Sequence, residues 1–305
     1  MTATAFGALL IILAGALARH HGIIRREDGP LLVRLVIYLA LPPLIFLIIA
    51  EADLDLSLLL VPVVGYALHF ILLGISTLSV RLWGMERPRA GAMVVATAVG
   101  NTGFFGLPLI AASGDGFSLP AAVMYDSLCT GVITWTSTVA IASSFGRAEG
   151  EPRMSARELG RILLLPPNWA LVAGLVWNLS GAGELPSSIE RPMEILAGAT
   201  LPLTMLYAGV MIDFRGLRRL WPEISYVTVV RLGLSAVIGA GLAVAVGLEG
   251  DVLHTVVIMA AMPTAMMSLV LGTRYGLRSD VLAGAVVVTT LLATITLPAW
   301  RAVLL

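Results

Sequence analysis

The sequence is poor in charge and in cysteine, and it contains no lysine. Only 12% of its 305 residues are charged, while 58% are hydrophobic and the mean hydropathy is +0.94. No water-soluble domain of this length has such a composition. The single cysteine, Cys129, excludes an internal disulfide and a cysteine-based metal cluster. A net charge of zero gives no reason to expect a nucleic-acid partner.

Long apolar runs fill almost the whole chain. A helix needs about 20 apolar residues to cross a bilayer. We therefore predict an all-α polytopic membrane protein with ten transmembrane spans, numbered 1 to 10, at residues 3–18, 31–50, 58–80, 90–112, 119–145, 162–181, 192–212, 220–247, 252–273 and 280–304. Too little sequence remains outside the spans for a soluble catalytic domain. The first run ends in "GALARHH", which resembles a signal-peptide cleavage site, but no positive charge precedes it, which favours a retained first helix.

The arginines predict the orientation of the chain. Most of them lie in the connections after spans 1, 3, 5, 7 and 9: Arg19, Arg25, Arg26, Arg81, Arg87, Arg89, Arg147, Arg153, Arg157, Arg161, Arg215, Arg218, Arg219, Arg274 and Arg278. The even connections and the C-terminal end carry only Arg191 and Arg301. Because positive loops stay in the cytoplasm, we expect a multi-pass protein of the cell (inner) membrane with both termini outside the cytoplasm.

The connection 146–161 divides the chain into two halves, 1–145 and 162–305, with five spans in each. Five is odd, so the second half must enter the membrane with the opposite orientation. Prolines also recur between the halves at nearly equal separations, Pro42 with Pro202 and Pro108 with Pro263. Paired interruptions in two inverted halves are typical of secondary transporters and mark their binding site.

Span 4 is interrupted at its centre by the stretch "AVGNTGFFGLPLI". Its glycines relax the backbone, and Pro108 removes a donor and disfavours helical geometry at Leu107. Because freed backbone groups cannot face lipid, the interruption must be buried or line a cavity. A proline kink with glycines for close helix packing is the alternative. The matching interruption in span 9 favours a binding site whose half-helix ends and polar side chains suit a carboxylate. The predicted substrate-binding residues are Gly100, Asn101, Thr102, Gly103, Phe104, Pro108, Met262, Pro263, Thr264 and Ala265.

Two segments carry a specific resemblance. "GNTGFFGLPLI" resembles the fourth-helix crossover segment of the auxin efflux carrier family, which includes the plant auxin carriers and bacterial relatives; the matching residues are Asn101, Thr102, Gly106, Leu107 and Pro108. "AMPTAMMSLVLGTRYGLRSDVL" is similar to the ninth-helix signature of the family, with Pro263, Tyr275, Asp280, Val281 and Leu282 in matching positions.

The resemblance implies a 5+5 inverted repeat related to the bile acid symporters. Spans 1, 2, 6 and 7 would form a scaffold, and spans 3–5 and 8–10 a mobile transport domain with crossing broken helices 4 and 9. It also implies a homodimer, an elevator-type motion and organic-anion substrates such as auxin or dicarboxylates. The plant pattern has Pro-Asn and Pro-Gln where this chain has Gly100–Asn101 and Pro263–Thr264. These departures, and a central connection much shorter than that of the plant carriers, point away from auxin itself.

Three ionisable residues inside spans are candidates for ion coupling. Asp126 in span 5 could hold a proton or a sodium ion, or form a structural pair with Arg231 or a hydroxyl group. Arg231 in span 8 could attract the anion or extend to the cytoplasmic face. His69 in span 3 could relay protons or be a satisfied packing residue.

The motifs of nucleotide-driven pumps and of common hydrolases do not occur in the sequence. We therefore predict a transporter of small organic anions, not an enzyme, embedded in the lipid bilayer, with no cofactor and no metal site. An anion channel or a non-transporting receptor for a carboxylate is the alternative, since broken helices also build selectivity filters.

Overall fold

The computed structural model describes residues 2–114, 116–146, 164–212 and 217–304. These residues form helices and no strand. The helices are α1 Thr2–His20, α2 Arg26–Ala50, α3 Leu56–Leu82, α4 Arg87–Ala98, α5 Thr102–Ala111, α6 Leu119–Gly146, α7 Pro166–Ser180, α8 Ser187–Met211, α9 Leu217–Ala245, α10 Gly250–Ala260, α11 Met267–Arg274 and α12 Ser279–Leu304. Of the predicted connection 146–161, only Gly146 is described; the rest lies outside the described residues.

Among the described residues, seven helices are long and apolar enough to cross a membrane, namely α1, α2, α3, α6, α8, α9 and α12. The predicted span 4 is divided between α4 and α5, and the predicted span 9 between α10 and α11. In the region of the predicted span 6, α7 has 15 residues. The all-helical, polytopic character of the protein is therefore confirmed, whereas ten membrane crossings remain a prediction.

The ends of the long helices have local causes. The carboxylate of Asp55 caps α3 by accepting hydrogen bonds from Leu58 N (3.2 Å) and from the Ser57 hydroxyl (2.5 Å), which lower the pKa of Asp55. The Ser118 hydroxyl caps α6 by accepting from Ala121 N. At the C-terminal end of α7, Gly181 has a φ of 66°, a left-handed conformation that glycine adopts without strain.

Helices α1, α2, α7 and α8 pack on one another through small residues. A Cβ atom on Gly15 of α1 would collide with the carbonyl of Leu206, and one on Gly209 of α8 with the carbonyl of Ile12. These two glycines therefore bring the backbones of α1 and α8 into close contact. In a second contact, the Asn178 side-chain amide of α7 donates to three carbonyl groups at the end of α2, those of Ile49, Ala50 and Ala52.

Helices α3, α4, α6, α9, α10 and α12 form the other packed group. Within it, α4 is buried on every side from Ala90 to Ala98, and α10 is buried from Thr255 to Ala260. A helix that is apolar all round belongs in the core of a large protein. Each of these two helices ends inside the molecule, which places both interruptions in the interior.

The interruption of span 4 lies at the start of the predicted stretch 98–110 and does not include Pro108. Leu107 is helical, with φ −57° and ψ −49°, and Pro108 lies in a regular helical turn. The helix is instead broken at residues 99–101, where Val99 is extended and Asn101 has a ψ of 65°. The expectation that Pro108 unwinds Leu107 was wrong, because this proline occupies the first turn of an α-helical segment, where its missing N–H is tolerated.

Candidate binding site at a crossing of two broken helices

The two interruptions cross each other and form hydrogen bonds. Asn101 N donates to the carbonyl of Pro263 (2.7 Å) and Ala265 N donates to the carbonyl of Val99 (3.0 Å), with Gly100 opposite Thr264 in an antiparallel bridge. Unwound backbone in a membrane protein needs such internal partners, because lipid offers none. The predicted crossing of the two broken helices is therefore present in the structure, and each interruption satisfies the other.

In the interruption between α10 and α11, Thr264 forms hydrogen bonds within the protein. The Thr264 hydroxyl donates to the carbonyl of Ala96 (2.9 Å), and Thr264 N donates to the Thr289 hydroxyl (3.0 Å). Thr264 and Met262 are both fully buried. Both hydrogen-bond donors of Thr264 are thus engaged with the protein itself.

The interruption between α4 and α5 borders a cavity of about 630 Å³. Residues 100–104, Asp126 and Ala265 line it on one side. The opposite wall comes from α2 and α7 and is apolar and aromatic, with contributions from Ile37, Leu41, Trp169, Leu171 and Val172. A mostly apolar cavity with a few convergent polar groups is the usual form of a small-molecule site.

Asn101 borders this cavity and has an unused hydrogen-bond donor. Its side chain is 2% exposed, and among the described residues its Nδ2 atom has no hydrogen-bond partner. Buried polar groups without a partner are rare in native proteins and call for a specific explanation. A ligand oxygen in the cavity would satisfy this donor.

Asp126 stands next to the same interruption. The Thr102 hydroxyl donates to its Oδ1 atom over 2.6 Å. Asp126 lies in the π-helical segment Tyr125–Thr130 of α6, and Thr102 begins the π-helical segment Thr102–Gly106. Such wide turns are frequent at functional sites because they redirect side chains. Of the two structural partners considered for Asp126, the hydroxyl group is the one present.

Arg231 lies inside the protein behind Gly100. It is 3% exposed, and its guanidinium donates to the carbonyls of Met262 (2.9 and 3.2 Å), Ala260 (3.0 Å) and Thr97 (3.4 Å). The alternative prediction, that this side chain extends to the cytoplasmic face, is therefore wrong. Among the described residues, Arg231 forms no ion pair with Asp126, and it does not line the large cavity.

Both ring nitrogens of His69, in α3, have hydrogen-bond partners. Nδ1 donates to the carbonyl of Ala98 (3.0 Å), and Nε2 lies 2.7 Å from the Ser137 hydroxyl. A neutral imidazole with these partners is fully satisfied, as a packing histidine would be. A role of His69 in ion coupling stays a prediction.

Three glycines of the interrupted stretch allow close contacts. A Cβ atom on Gly100 would collide with the guanidinium of Arg231, one on Gly103 would lie 2.9 Å from both carboxylate oxygens of Asp126, and one on Gly106 would lie 2.9 Å from Met259 Sδ. None of the three has a positive φ. The three glycines therefore each permit the close approach of one side chain, and the expectation that they relax the backbone stays a prediction.

The predicted substrate-binding residues fall into two sets. Residues 100–104 and Ala265 line the cavity, whereas Pro108, Met262, Pro263 and Thr264 do not. The residues of α2 and α7 that form the opposite wall were not predicted. The pair Asn168–Trp169, in the "PPNWA" stretch at the start of α7, was the one available signal, because a polar and an aromatic residue open an otherwise apolar helix.

Crossing broken helices beside a cavity, in a helical membrane protein, are typical of the class of secondary transporters. Comparison with known proteins identifies the family within that class. Residues 3–301 match the family described as "Membrane transport protein", and the chain belongs to this family. It is therefore a multi-pass membrane transporter, not an enzyme.

Named relatives support the assignment. The chain is 31% identical over 306 residues to an "Uncharacterized transporter" of Methanothermobacter thermautotrophicus, covering 99% of this chain and 98% of the relative. It is 27% identical to a "Putative malonate transporter" of Rhizobium meliloti, covering 86% and 82%. It is 27% identical to "Probable auxin efflux carrier component 1d" of Oryza sativa, covering 48% of this chain and 29% of the carrier. The resemblance to auxin efflux carriers is thereby confirmed.

Proposed function

We propose that the protein moves small organic anions, such as dicarboxylates, across the cell membrane as a secondary or facilitative transporter. The observation that carries this proposal is the buried, unpaired Nδ2 donor of Asn101, a residue that borders the cavity at the crossing. An amide donor beside the start of a helix suits a carboxylate, because the first N–H groups of a helix lack internal partners and carry partial positive charge. The first three residues of α5, at 102–104, line the same cavity.

One further observation favours a dicarboxylate as the anion. The relative from Rhizobium meliloti, which this chain matches over most of its length, is named for malonate. A cavity of about 630 Å³ has room for such a dicarboxylate together with water molecules.

Asp126 is the candidate for coupling transport to an ion. It lines the cavity, and its carboxylate would repel a bound anion unless it carries a proton or a sodium ion. Binding of the anion and neutralisation of Asp126 would then favour each other. This linkage gives the protein a means of driving the anion with a proton or sodium gradient.

A regular correspondence supports the proposed inverted repeat of five plus five helices. One constant offset in residue number relates Thr102 to Thr264 and also relates His69 to Arg231. The same offset relates Ala98, whose carbonyl accepts from His69, to Ala260, whose carbonyl accepts from Arg231. Equivalent contacts at equivalent positions are what two copies of one ancestral unit would retain.

The cavity separates the two packed groups of helices, which supports an elevator-type motion. Its walls come from α2 and α7 on one side and from α5, α6 and the two interruptions on the other. Spans 1, 2, 6 and 7 would be the scaffold, and the remaining spans would carry the crossing across the membrane. With arginine-rich connections in the cytoplasm, both termini lie outside and the cavity extends towards the cytoplasmic ends of α6 and α7. A homodimer is the assembly that the family resemblance implies.

Uptake of radiolabelled malonate into proteoliposomes tests the function. We expect saturable uptake that other small dicarboxylates inhibit and that changes with an imposed proton or sodium gradient. An uptake rate that saturates with malonate concentration, without single-channel currents, separates a transporter from an anion channel. Accumulation of malonate inside the vesicles separates a transporter from a receptor. If no member of a panel of carboxylates is bound or moved, the proposal is wrong.

A further inference from the structure

We propose that Arg231 is a built-in counter-cation at the helix crossing, which occupies the place of a bound sodium ion and makes the crossing independent of sodium. The inference concerns how the crossing is neutralised, and it does not depend on which substrate the protein carries. A failure of malonate transport would therefore leave it standing, and its own test uses protein stability.

The first argument is the set of contacts around the guanidinium. The partners of Arg231 are backbone carbonyls at the C-terminal ends of two helices, Thr97 in α4 and Ala260 in α10, together with Met262 in the interruption that follows α10. The last four carbonyls of a helix have no partner within the helix. One side chain thus satisfies carbonyl groups of both broken helices at once.

The second argument is the balance of charge. The C-terminal end of a helix carries roughly half a negative elementary charge, so two such ends amount to about one. Among the described residues, no carboxylate lies within ion-pair distance of Arg231. The guanidinium is therefore neutralised by the two helix ends, and the helix ends are neutralised by the guanidinium.

The third argument is the chemistry of the ligand set. Unwound backbone carbonyls and the C-terminal ends of half-helices are the groups that coordinate sodium in transporters with broken helices. Here such carbonyls converge on Arg231, and the Ser235 hydroxyl donates to the carbonyl of Ala260 as well (2.8 Å). Gly100 leaves room for this arrangement, because a Cβ atom there would collide with the guanidinium.

The equivalent position in the other half makes the assignment specific. His69, which the constant offset pairs with Arg231, donates to the carbonyl of Ala98 at the end of α4. A neutral imidazole in that position adds a donor without adding a charge. Only one of the two equivalent positions thus carries a permanent charge, as expected if the crossing needs a single positive charge and Arg231 supplies it.

Thermal unfolding of the purified protein in detergent tests the inference, with sodium chloride compared with choline chloride at equal ionic strength. Wild type should have the same Tm in both salts. Arg231→Ala should unfold several degrees lower in choline and should regain part of that loss in sodium, or with a few millimolar methylguanidinium. The matched control is Arg34→Ala, which removes an arginine of α2 outside the crossing and should respond to neither cation.

Arg231→Lys keeps the inference testable if the alanine variant does not fold. A lysine supplies the charge without the planar fork of donors, so this variant should be less stable than wild type but equally insensitive to sodium. Sodium-specific stabilisation of Arg231→Lys or of wild type would overturn the inference if it persists when Asp126→Asn is added. The second substitution is needed because a sodium ion bound at Asp126 would stabilise the protein without taking the place of Arg231. A folded Arg231→Ala protein that neither sodium nor methylguanidinium stabilises would also overturn the inference.

Discussion

The two interruptions have equivalent positions in the sequence and are both buried, but their polar groups differ in whether they have hydrogen-bond partners. The one at residues 99–101 borders the cavity and leaves the Nδ2 donor of Asn101 without a partner among the described residues. The one at residues 261–266 also contributes to the cavity, through Ala265 and Met266, but the backbone N–H and hydroxyl of Thr264 both have partners within the protein. The comparison indicates a division of roles. The interruption at residues 99–101 recognises the ligand, and the interruption at residues 261–266 holds the first one in place.

The residues at equivalent positions explain this division. The offset that relates His69 to Arg231 also relates Asn101 to Pro263. Asparagine brings an amide that can point at a ligand, whereas proline has no N–H and offers only its carbonyl, which accepts from Asn101 N. Substitutions on the two sides should therefore affect different properties of the protein.

Gly100→Val should have the largest effect, because it disturbs both interruptions. A side chain there would displace the guanidinium of Arg231 from its carbonyl partners, and an uncompensated buried charge typically costs about 3–5 kcal/mol. We expect a large fall in Tm and loss of transport. Gly233→Val is the matched control, since Gly233 lies in the same π-helical segment as Arg231 and a Cβ atom there meets nothing within 4 Å. Equal losses in the two variants would contradict the role given to Gly100.

Asn101→Ala should have the next largest effect, on binding alone. Loss of a hydrogen bond to a charged group costs about 1.5–3 kcal/mol, or roughly ten- to a hundredfold in affinity. Because Nδ2 has no partner among the described residues, the Tm without ligand should hardly change. Equilibrium binding of malonate, or of whichever carboxylate proves to be the substrate, measures the first quantity, and thermal unfolding measures the second. A variant that binds like wild type would place the site elsewhere.

Thr264→Val should show the reverse pattern and a smaller effect. The change keeps the shape of the side chain but leaves the carbonyl of Ala96 without its donor, at a cost of about 1–3 kcal/mol in stability. Affinity measured on the folded protein should stay within a fewfold of wild type, since Thr264 does not line the cavity. Thr273→Val, at an exposed helical threonine, controls for loss of a hydroxyl group. If Thr264→Val weakened binding as much as Asn101→Ala does, the division between the two interruptions would fail.

The sequence predicted both interruptions but wrongly included Pro108 in the first one. Glycine, asparagine and proline within an apolar run indicate that a helix is broken, and the recurrence of proline in the second half indicates that the breaks are paired. Proline marks where a helix can begin as well as where one ends, so that Pro108 was assigned to the break although it lies in the following helix. The pairing of Asn101 N with the carbonyl of Pro263 decides the true position.

The partners of Arg231 could not be predicted from the sequence. Its depth in an apolar run was evident, but the direction of its side chain depends on how α9 packs against α10 and on the missing Cβ of Gly100. The cavity walls from α2 and α7 were missed for a related reason. Apolar residues such as Ile37 and Leu171 carry no pairing information, and only the fold shows that they face the crossing.

Asp126→Asn should have the smallest effect on stability and a selective effect on coupling. The amide oxygen of asparagine can still accept the hydrogen bond from the Thr102 hydroxyl, so we expect a Tm close to that of wild type. The variant can no longer exchange a proton or bind a cation through a carboxylate. Uptake into proteoliposomes should therefore lose its response to an imposed proton or sodium gradient while substrate exchange continues. Thr102→Val separates this role from a structural one, because it removes the hydrogen bond but keeps the carboxylate, and it should retain the response to the gradient. If uptake by Asp126→Asn responds to the gradient as strongly as uptake by wild type, Asp126 is only a structural partner of Thr102. Ligand recognition would then be the single role of the interruption at residues 99–101.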